Sequence, residues 1–336
     1  MSGFGKNGNC KGMIEEQKKI ICLTPIYNDW ESFLLLASCV ENEFKAIRKD
    51  YSIQIIAVDD GSTDDLDIDP FPKQIPIEIV SLKNNVGHQR AIAIGLQYIN
   101  TERSNFDFVV VLDSDGEDKP QDILKLVSKC EDLNSKKIVF AQRKKRQESL
   151  LFKTGYYFYR YIFYVLTGQK INFGNFSCIP KKVLKKIVLQ ENLWNHYSGS
   201  IIQSKIPFDK ILVDRDKRYV GQSKMNFTSL VLHGLSSISI YFDFLSVRIL
   251  KLSLYGVVAC ILAVLTVLYF KLFTESSIPG WASNLILIML SIILQFSSVT
   301  LIVLLMQLSS RKNIKSPAAS IYKDFIESVI LITEPH

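Results

Sequence analysis

"FDFVVVLDSDGEDKPQDILKLVSKC" runs from Phe106 to Cys130. The four apolar residues Val109–Leu112 make a buried strand. They run straight into four acids within six positions: Asp113, Asp115, Glu117 and Asp118. Pro120 then opens a helical pattern, because its fixed φ suits a first helical turn. Strand, polar turn and helix in that order is the repeat of an α/β domain.

The same alternation extends on both sides. "KKIICLTPIYN" reads as strand then loop, "ESFLLLASCVENEFKAI" as helix, and "SIQIIAVDDGSTDD" as a strand broken by a turn. "PIEIVSL" is a strand, "VGHQRAIAIGLQYI" a helix and "KKIVFAQR" another strand. This pattern predicts a Rossmann-like α/β domain with a mostly parallel sheet and helices on both faces. Such sheets bind ligands at the carboxyl ends of their strands. The polar stretches Pro25–Asn28, Asp59–Asp64 and Asp113–Asp118 fall there.

The chain has 336 residues, a net charge of +7 and 48% hydrophobic residues. The apolar excess lies near the C-terminus. Leu252–Phe270 holds 19 residues without a charge and Ser276–Ser310 holds 35. About 20 apolar helical residues cross a bilayer core. Two buried core helices are the alternative, but core helices are seldom apolar on every face for so long. Arg248 and Lys251 precede the first stretch, and Arg311, Lys312 and Lys315 follow the second. The positive-inside rule then puts both flanks in the cytoplasm and predicts a hairpin.

Met1–Lys19 is polar and Gly-rich, and reads as a loose tail rather than a secretory signal. The six cysteines are scattered with no CxxC pair, which points to reduced thiols rather than disulfides or zinc. The expected layout is a tail over 1–18, a catalytic domain over 19–224 and amphipathic interface helices over 225–247. A transmembrane hairpin over 248–310 follows, with spans near 252–270 and 282–308, then a cytoplasmic tail over 311–336. Within that tail "FIESVILI" reads as one more apolar patch on the membrane surface.

An Asp-x-Asp at a strand end puts two carboxylates, Asp113 and Asp115, on a short turn. That suits a hard divalent cation, Mg²⁺ or Mn²⁺, which prefers oxygen ligands and completes its shell with water and phosphates. A solvated acidic turn with Asp118 as a helix cap is the alternative. A second acidic strand end, "VDDGSTDD" from Val58 to Asp65, suits hydrogen bonds to a ribose or base edge. There is no GxGxxG and no Walker loop, so neither a dinucleotide cofactor nor a P-loop is indicated.

Together "TPIYND", "VDDGSTDD", "NNVGHQRAIAIGL", "LDSDGED" and "AQRKKRQES" resemble the ordered motifs of family 2 glycosyltransferases with the GT-A fold. "GNFSCIPKKVL" and "RYVGQSKMNFTSLVLHGL" are similar to later motifs of the polyprenyl-phosphate branch. That branch includes dolichyl-phosphate mannose synthase and bacterial undecaprenyl-phosphate glycosyltransferases. The resemblance covers about residues 19–310.

The resemblance implies roles. Pro25 and Tyr27 would flank the base, and Asp59 and Asp60 would meet base and ribose. Asp113, Asp115 and Glu117 would hold the metal, with Asp113 also facing the donor nucleotide. Arg143, Arg146, Arg218 and Lys224 match basic positions that face phosphates, with Arg143 and Arg146 beside the chemistry. The implied partners are a UDP- or GDP-sugar, a polyprenyl phosphate and the bacterial inner membrane, with no nucleic acid. A homo-oligomer is left open. Two departures stand out. Asp29 stands where Glu is common, and Ser177 follows Phe176 where many branch members have Arg.

Other features carry two readings each. His88 and Arg90 could touch a phosphate or be polar surface. The aromatic run Tyr156–Tyr164 could line a lipid groove or pack as a plain helix. "QENLW" over Gln190–Trp194 has Leu193 where processive synthases carry Arg, so it is read as chance.

Three functions follow. The first is transfer of one sugar to a polyprenyl phosphate. The second is transfer to a sugar hydroxyl, and the third is a non-catalytic membrane scaffold. A hydroxyl acceptor needs a base, yet between Leu150 and Phe208 the only acid is Glu191. A lipid monophosphate, with a second pKa of about 6, is already a nucleophile. The first is therefore preferred.

Overall fold

In a computed structural model, the structure describes residues 17–45, 50–67, 70–143, 174–214, 216–220, 241–273, 280–312 and 321–333. The chain divides into two compact units. One comprises Met1–Lys145, Asn172–Lys224 and Ala319–His336, the other Arg146–Ile171 and Met225–Ala318.

The first unit is built on strands β1 (Lys18–Ile26), β2 (Tyr51–Asp59), β3 (Ile77–Leu82), β4 (Phe108–Val111), β5 (Ile138–Arg143), β6 (Ser177–Pro180), β7 (Phe208–Val213) and β8 (Ile326–Thr333). They form one sheet in the order β7-β5-β6-β4-β1-β2-β3-β8. β1 pairs parallel with β2 and β4, β2 with β3, and β5 with β7. β6 and β8 run antiparallel to their neighbours. The sheet is therefore mixed and mostly parallel, as the alternation predicts.

Period-2 side-chain alternation builds two cores. Ile20, Cys22 and Ile26 of β1 face one side, with Ile55 and Ala57 of β2 and Val110 of β4. Helices α1 (Trp30–Phe44) and α3 (Gln121–Asp132) cover that face. Ile21, Leu23, Ile56, Val58, Val109 and Val111 face the other side, under α2 (His88–Glu102). Helices α4 (Lys181–Ile187) and α5 (Tyr197–Gln203) and a 3-10 turn (Glu191–Trp194) bury α2 further. A β-carbon on Gly95 of α2 would stand 2.4 Å from Leu23 Cδ1, so only glycine lets the helix sit this close to the sheet.

"QENLW" has a packing explanation. Leu193 is fully buried in the α2-side core, and the ring of Trp194 meets that of Phe325.

The apolar patch near the C-terminus does not lie free as a membrane-surface segment. It is β8, which pairs with β3 from Ile326↔Leu82 to Thr333↔Ile77. The edge of a parallel sheet presents unpaired N–H and C=O groups, and a β-rich segment satisfies them. Just before β8, Tyr322 is buried, and its hydroxyl donates to Glu102 Oε1 at 2.6 Å.

The second unit contains α6 (Phe242–Phe273) and α7 (Trp281–Lys312), which pack on each other. Both are long and apolar enough to cross a membrane, over Phe244–Phe273 and Ala282–Ser309. Outward-facing Leu252, Leu272, Phe273, Leu287 and Leu294 are each more than half exposed, unlike residues of a core helix. At 1.5 Å per residue, 32 residues span about 48 Å. The first helix begins earlier than the expected span and takes in Phe242–Val247, which the sequence pattern places in the surface segment. Residues 225–240 of that segment, and the aromatic run Tyr156–Tyr164, lie outside the described residues.

Candidate functional site

The parallel pairing gathers the polar strand ends at one edge. In register, Ile26 of β1 faces Asp59 of β2, and Leu23 faces Val111 of β4. The loops after β1, β2 and β4 are therefore neighbours.

The first two loops are laced together. Asn28, held at φ 50°, donates its backbone N–H to Ser62 Oγ at 2.9 Å and accepts from Thr63 N at 2.8 Å. Asp59 Oδ1 accepts from Ser62 N at 2.9 Å. Pro25 is buried within β1, while Tyr27 just beyond it is 44% exposed. Asp60 is buried, and its carboxylate accepts from Val86 N at 2.7 Å and Gly87 N at 2.9 Å. In this structure Asp60 clamps the loop that starts α2. Burial raises its pKa, against the lowering by those two amides and by His88.

The Asp-x-Asp turn closes on itself. Asp118 is buried, and its Oδ2 accepts from Asp113 N at 3.2 Å. Asp118 thus ties the turn shut; the residue preceding α3 is Pro120. Asp115 Oδ1 accepts from Glu117 N at 3.0 Å. Between them Gly116 has φ +83°, where a side chain would be strained. Asp113, Asp115 and Glu117 are each partly exposed, while Ser114, Gly116 and Asp118 between and after them are buried.

Residues 216–219 lie along this turn. Asp216 N donates to Glu117 O at 3.1 Å and Tyr219 N to Asp115 O at 2.9 Å. Lys119 Nζ stands 3.5 Å from Asp216 Oδ2. The segment brings Arg218 against two carboxylates. Its NH2 is 2.7 Å from Asp29 Oδ2 and its NH1 is 3.7 Å from Asp115 Oδ2.

His88, the first residue of α2, comes from the other side. Its Nε2 lies 3.3 Å from Asp113 Oδ1 and 3.0 Å from Asn175 Nδ2. Burial lowers its pKa, but the charge of Asp113 and the contact with it raise it, helped by Asp60 and Asp115; the net direction is upward. Neighbouring Gln89 is buried, accepts from Tyr197 N at 2.7 Å and donates to Asn175 Oδ1 at 3.3 Å. Ser177 is fully buried, where its hydroxyl meets Tyr197 Oη at 2.7 Å and donates to Asn175 O at 2.8 Å. His88, for which the sequence offers a phosphate contact as one of two readings, lies against Asp113, and Asn175, which sequence reasoning does not single out, lies against His88. The signals in sequence were the place of His88 directly after the glycine that opens α2 and the place of Asn175 within "GNFSCIPKKVL".

Of the sequence-derived residues, Pro25, Tyr27, Asp59, Asp60, Asp113, Asp115, Glu117 and Arg218 come together at this edge. Arg143 ends β5 at the same end of the sheet, paired with Val213. Arg146 and Lys224 lie outside the described residues.

The donor set is hard oxygen, which fits Mg²⁺ or Mn²⁺. Among the described residues no three His, Cys, Asp or Glu side chains converge on one ion position. The turn thus offers carboxylates for part of a coordination shell, as magnesium requires when phosphates and water supply the rest.

A family model, glycosyl transferase family 2, matches residues 22–190. The uncharacterized glycosyltransferase YkcC of Bacillus subtilis is 29% identical over 242 residues, 68% of each chain. The undecaprenyl-phosphate 4-deoxy-4-formamido-L-arabinose transferase of Photorhabdus laumondii is 28% identical over 227 residues, 65% of this chain and 66% of that one. Among solved structures, glucosyl-3-phosphoglycerate synthase from Mycobacterium tuberculosis aligns at TM-score 0.46 and 13% identity, over 68% of this chain and 80% of that one.

Proposed function

This chain belongs to glycosyl transferase family 2, and we propose that it moves one sugar from a UDP- or GDP-sugar to a polyprenyl phosphate. The observation that carries the reading is the position of Arg218. It comes from the basic stretch that leads on to the apolar C-terminal half, and it sits beside Asp115 of the Asp-x-Asp turn. A cation there faces phosphate, and a phosphate acceptor needs positioning rather than deprotonation. The Photorhabdus laumondii relative, named for transfer to undecaprenyl phosphate, supports the same acceptor class.

In this reading Pro25 and Tyr27 flank the base, and Asp59 and Asp60 shape the floor beneath base and ribose. Asp113 and Asp115, with Glu117 beside them, hold Mg²⁺ or Mn²⁺. The ion, when bound, neutralises the leaving nucleoside diphosphate. Arg143, Arg146, Arg218 and Lys224 hold the acceptor phosphate. One of its oxygens attacks the anomeric carbon as the bond to the diphosphate breaks, so configuration inverts. α6 and α7 form a hairpin in the bacterial inner membrane, with the catalytic unit cytoplasmic. The return of β8 to the sheet favours the hairpin, because a chain that leaves a unit and rejoins it crosses the membrane an even number of times; the cytoplasmic side follows from Arg248, Lys251, Arg311, Lys312 and Lys315 flanking the two spans.

The test uses membranes carrying the protein and labelled UDP-glucose, UDP-GlcNAc, UDP-galactose and GDP-mannose in turn. Label should enter an acid-labile lipid phosphate fraction with one donor, and only with divalent ion present. Label that reaches only hydroxyl acceptors, or full transfer in EDTA, would overturn the reading.

A further inference from the structure

Asp29 has no role so far, yet it makes the closest contact to Arg218. The start of α1 fixes it. Phe33 N donates to Asp29 O at 3.1 Å, and Ser32 Oγ donates to Asp29 Oδ1 at 2.7 Å. That leaves Oδ2 to take Arg218 NH2 at 2.7 Å. Arg218 Nε in turn donates to Val220 O at 3.1 Å. The guanidinium is thus held on two edges, and its remaining contact, NH1 to Asp115 Oδ2, stretches to 3.7 Å.

The difference matters because the carboxylates compete. The side chains of Arg218, Asp29 and Asp115 are 21%, 17% and 18% exposed, so solvent screens them only in part. An arginine drawn fully onto Asp115 would neutralise the carboxylate that a divalent ion needs, and would repel the ion. An arginine held by Asp29 keeps its charge nearby for phosphate but leaves Asp115 able to coordinate.

We propose that Asp29 is a positioning residue for the divalent-ion site: it tethers Arg218 so that the guanidinium does not close the Asp115 carboxylate to the ion. The proposal rests on the reading that Asp113 and Asp115 hold that ion. A purely structural role would also have Asp29 bind Arg218, but then Asp29 would act only through fold stability.

The test measures Mn²⁺ binding alone by electron paramagnetic resonance, on the full chain in detergent micelles, with melting temperatures recorded alongside. D29N keeps an oxygen for Ser32 but loses the charge. It should bind Mn²⁺ about tenfold more weakly or worse, the usual scale for a residue behind a metal ligand. D29E should bind as the wild type does. D29N/R218M should recover the affinity, because the competing cation is gone. R218M alone should bind at least as tightly as wild type, which keeps the idea testable if D29N fails to fold. Wild-type affinity in D29N, no recovery in the double variant, or weakened binding in R218M would each overturn the tether while D115N still loses binding. If D115N itself binds Mn²⁺ normally, the metal reading falls and the tether with it.

Discussion

The ring of Tyr219 lies directly over Gly116. A β-carbon built on Gly116 would stand 2.3 Å from Tyr219 Cδ2. The contact locks residues 216–219 onto the Asp-x-Asp turn, and it sets the first prediction. Gly116→Ala should lower sugar transfer at least about tenfold, because the residue meets both the ring and a φ of +83° that disfavours any side chain. Adding Tyr219→Ala relieves the clash but not the backbone strain, so recovery should be partial. Initial rates of the three variants decide; full activity in Gly116→Ala would show that the turn has another conformation.

His88 should titrate above the ordinary histidine range. Its folded pKa is raised, by Asp113 foremost among the raising groups and against burial. The sign follows: stability from protonated His88 is fully present below about pH 6.5 and is lost as pH rises through the folded value. Because the side chain is 43% exposed, the effect on stability is small. The chain has four histidines, so selectively labelled imidazole resonances can be assigned by mutation. The His88 midpoint should fall in Asp113→Asn, and fall in the wild type on adding Mg²⁺. A midpoint indifferent to both would separate His88 from the acidic turn.

A half-buried ion pair away from the site should contribute to stability. Glu78 is 2% exposed and takes Arg103 NH2 at 2.5 Å and Gln54 Nε2 at 3.1 Å, with Tyr98 Oη also bonded to it. Arg103→Ala leaves a buried carboxylate facing neutral donors; because the Arg103 side chain is 32% exposed, the cost is about 1–3 kcal/mol, below that of a fully buried pair. Glu78→Gln in the same chain should recover most of it. Thermal melting in micelles checks both; a double variant no better than the single would mean that Arg103 acts through packing.

β8 makes the topology testable. Its ladder to β3 requires the C-terminal residues to share a compartment with the catalytic unit. Reporters fused after His336 and at the N-terminus should both read as cytoplasmic, and one placed in 274–279 as exterior. Truncation after Ala319 should expose the β3 edge and lower the yield of folded protein. Opposite readings at the two termini would refute the hairpin.

Much of this was legible along the chain because it is written between near neighbours. Short near-continuous apolar runs, Ile20–Ile26 and Phe108–Leu112, bounded by polar turns specify strands with two buried faces, and a much longer uncharged apolar run such as Leu252–Phe270 specifies a helix that water does not suit. Acids directly after apolar strands locate the site, since a strand end is where side chains leave the core. Such patterns need only local backbone geometry and the preference of apolar groups to leave water. The tertiary structure decided what depends on distant segments meeting. "FIESVILI" has the same composition whether it lies on lipid or pairs with β3; only the open edge of β3, some 250 residues earlier in the chain, makes it a strand. The sequence marks Arg218 as a cation that faces phosphate and leaves His88 with two readings, but neither tells which carboxylate each will meet; their contacts with Asp113 and with Asp29 and Asp115 exist because the sheet order sets those loops side by side. Electrostatic coupling falls with distance in space and is blind to separation along the chain, so no local pattern records which carboxylate a cation will find.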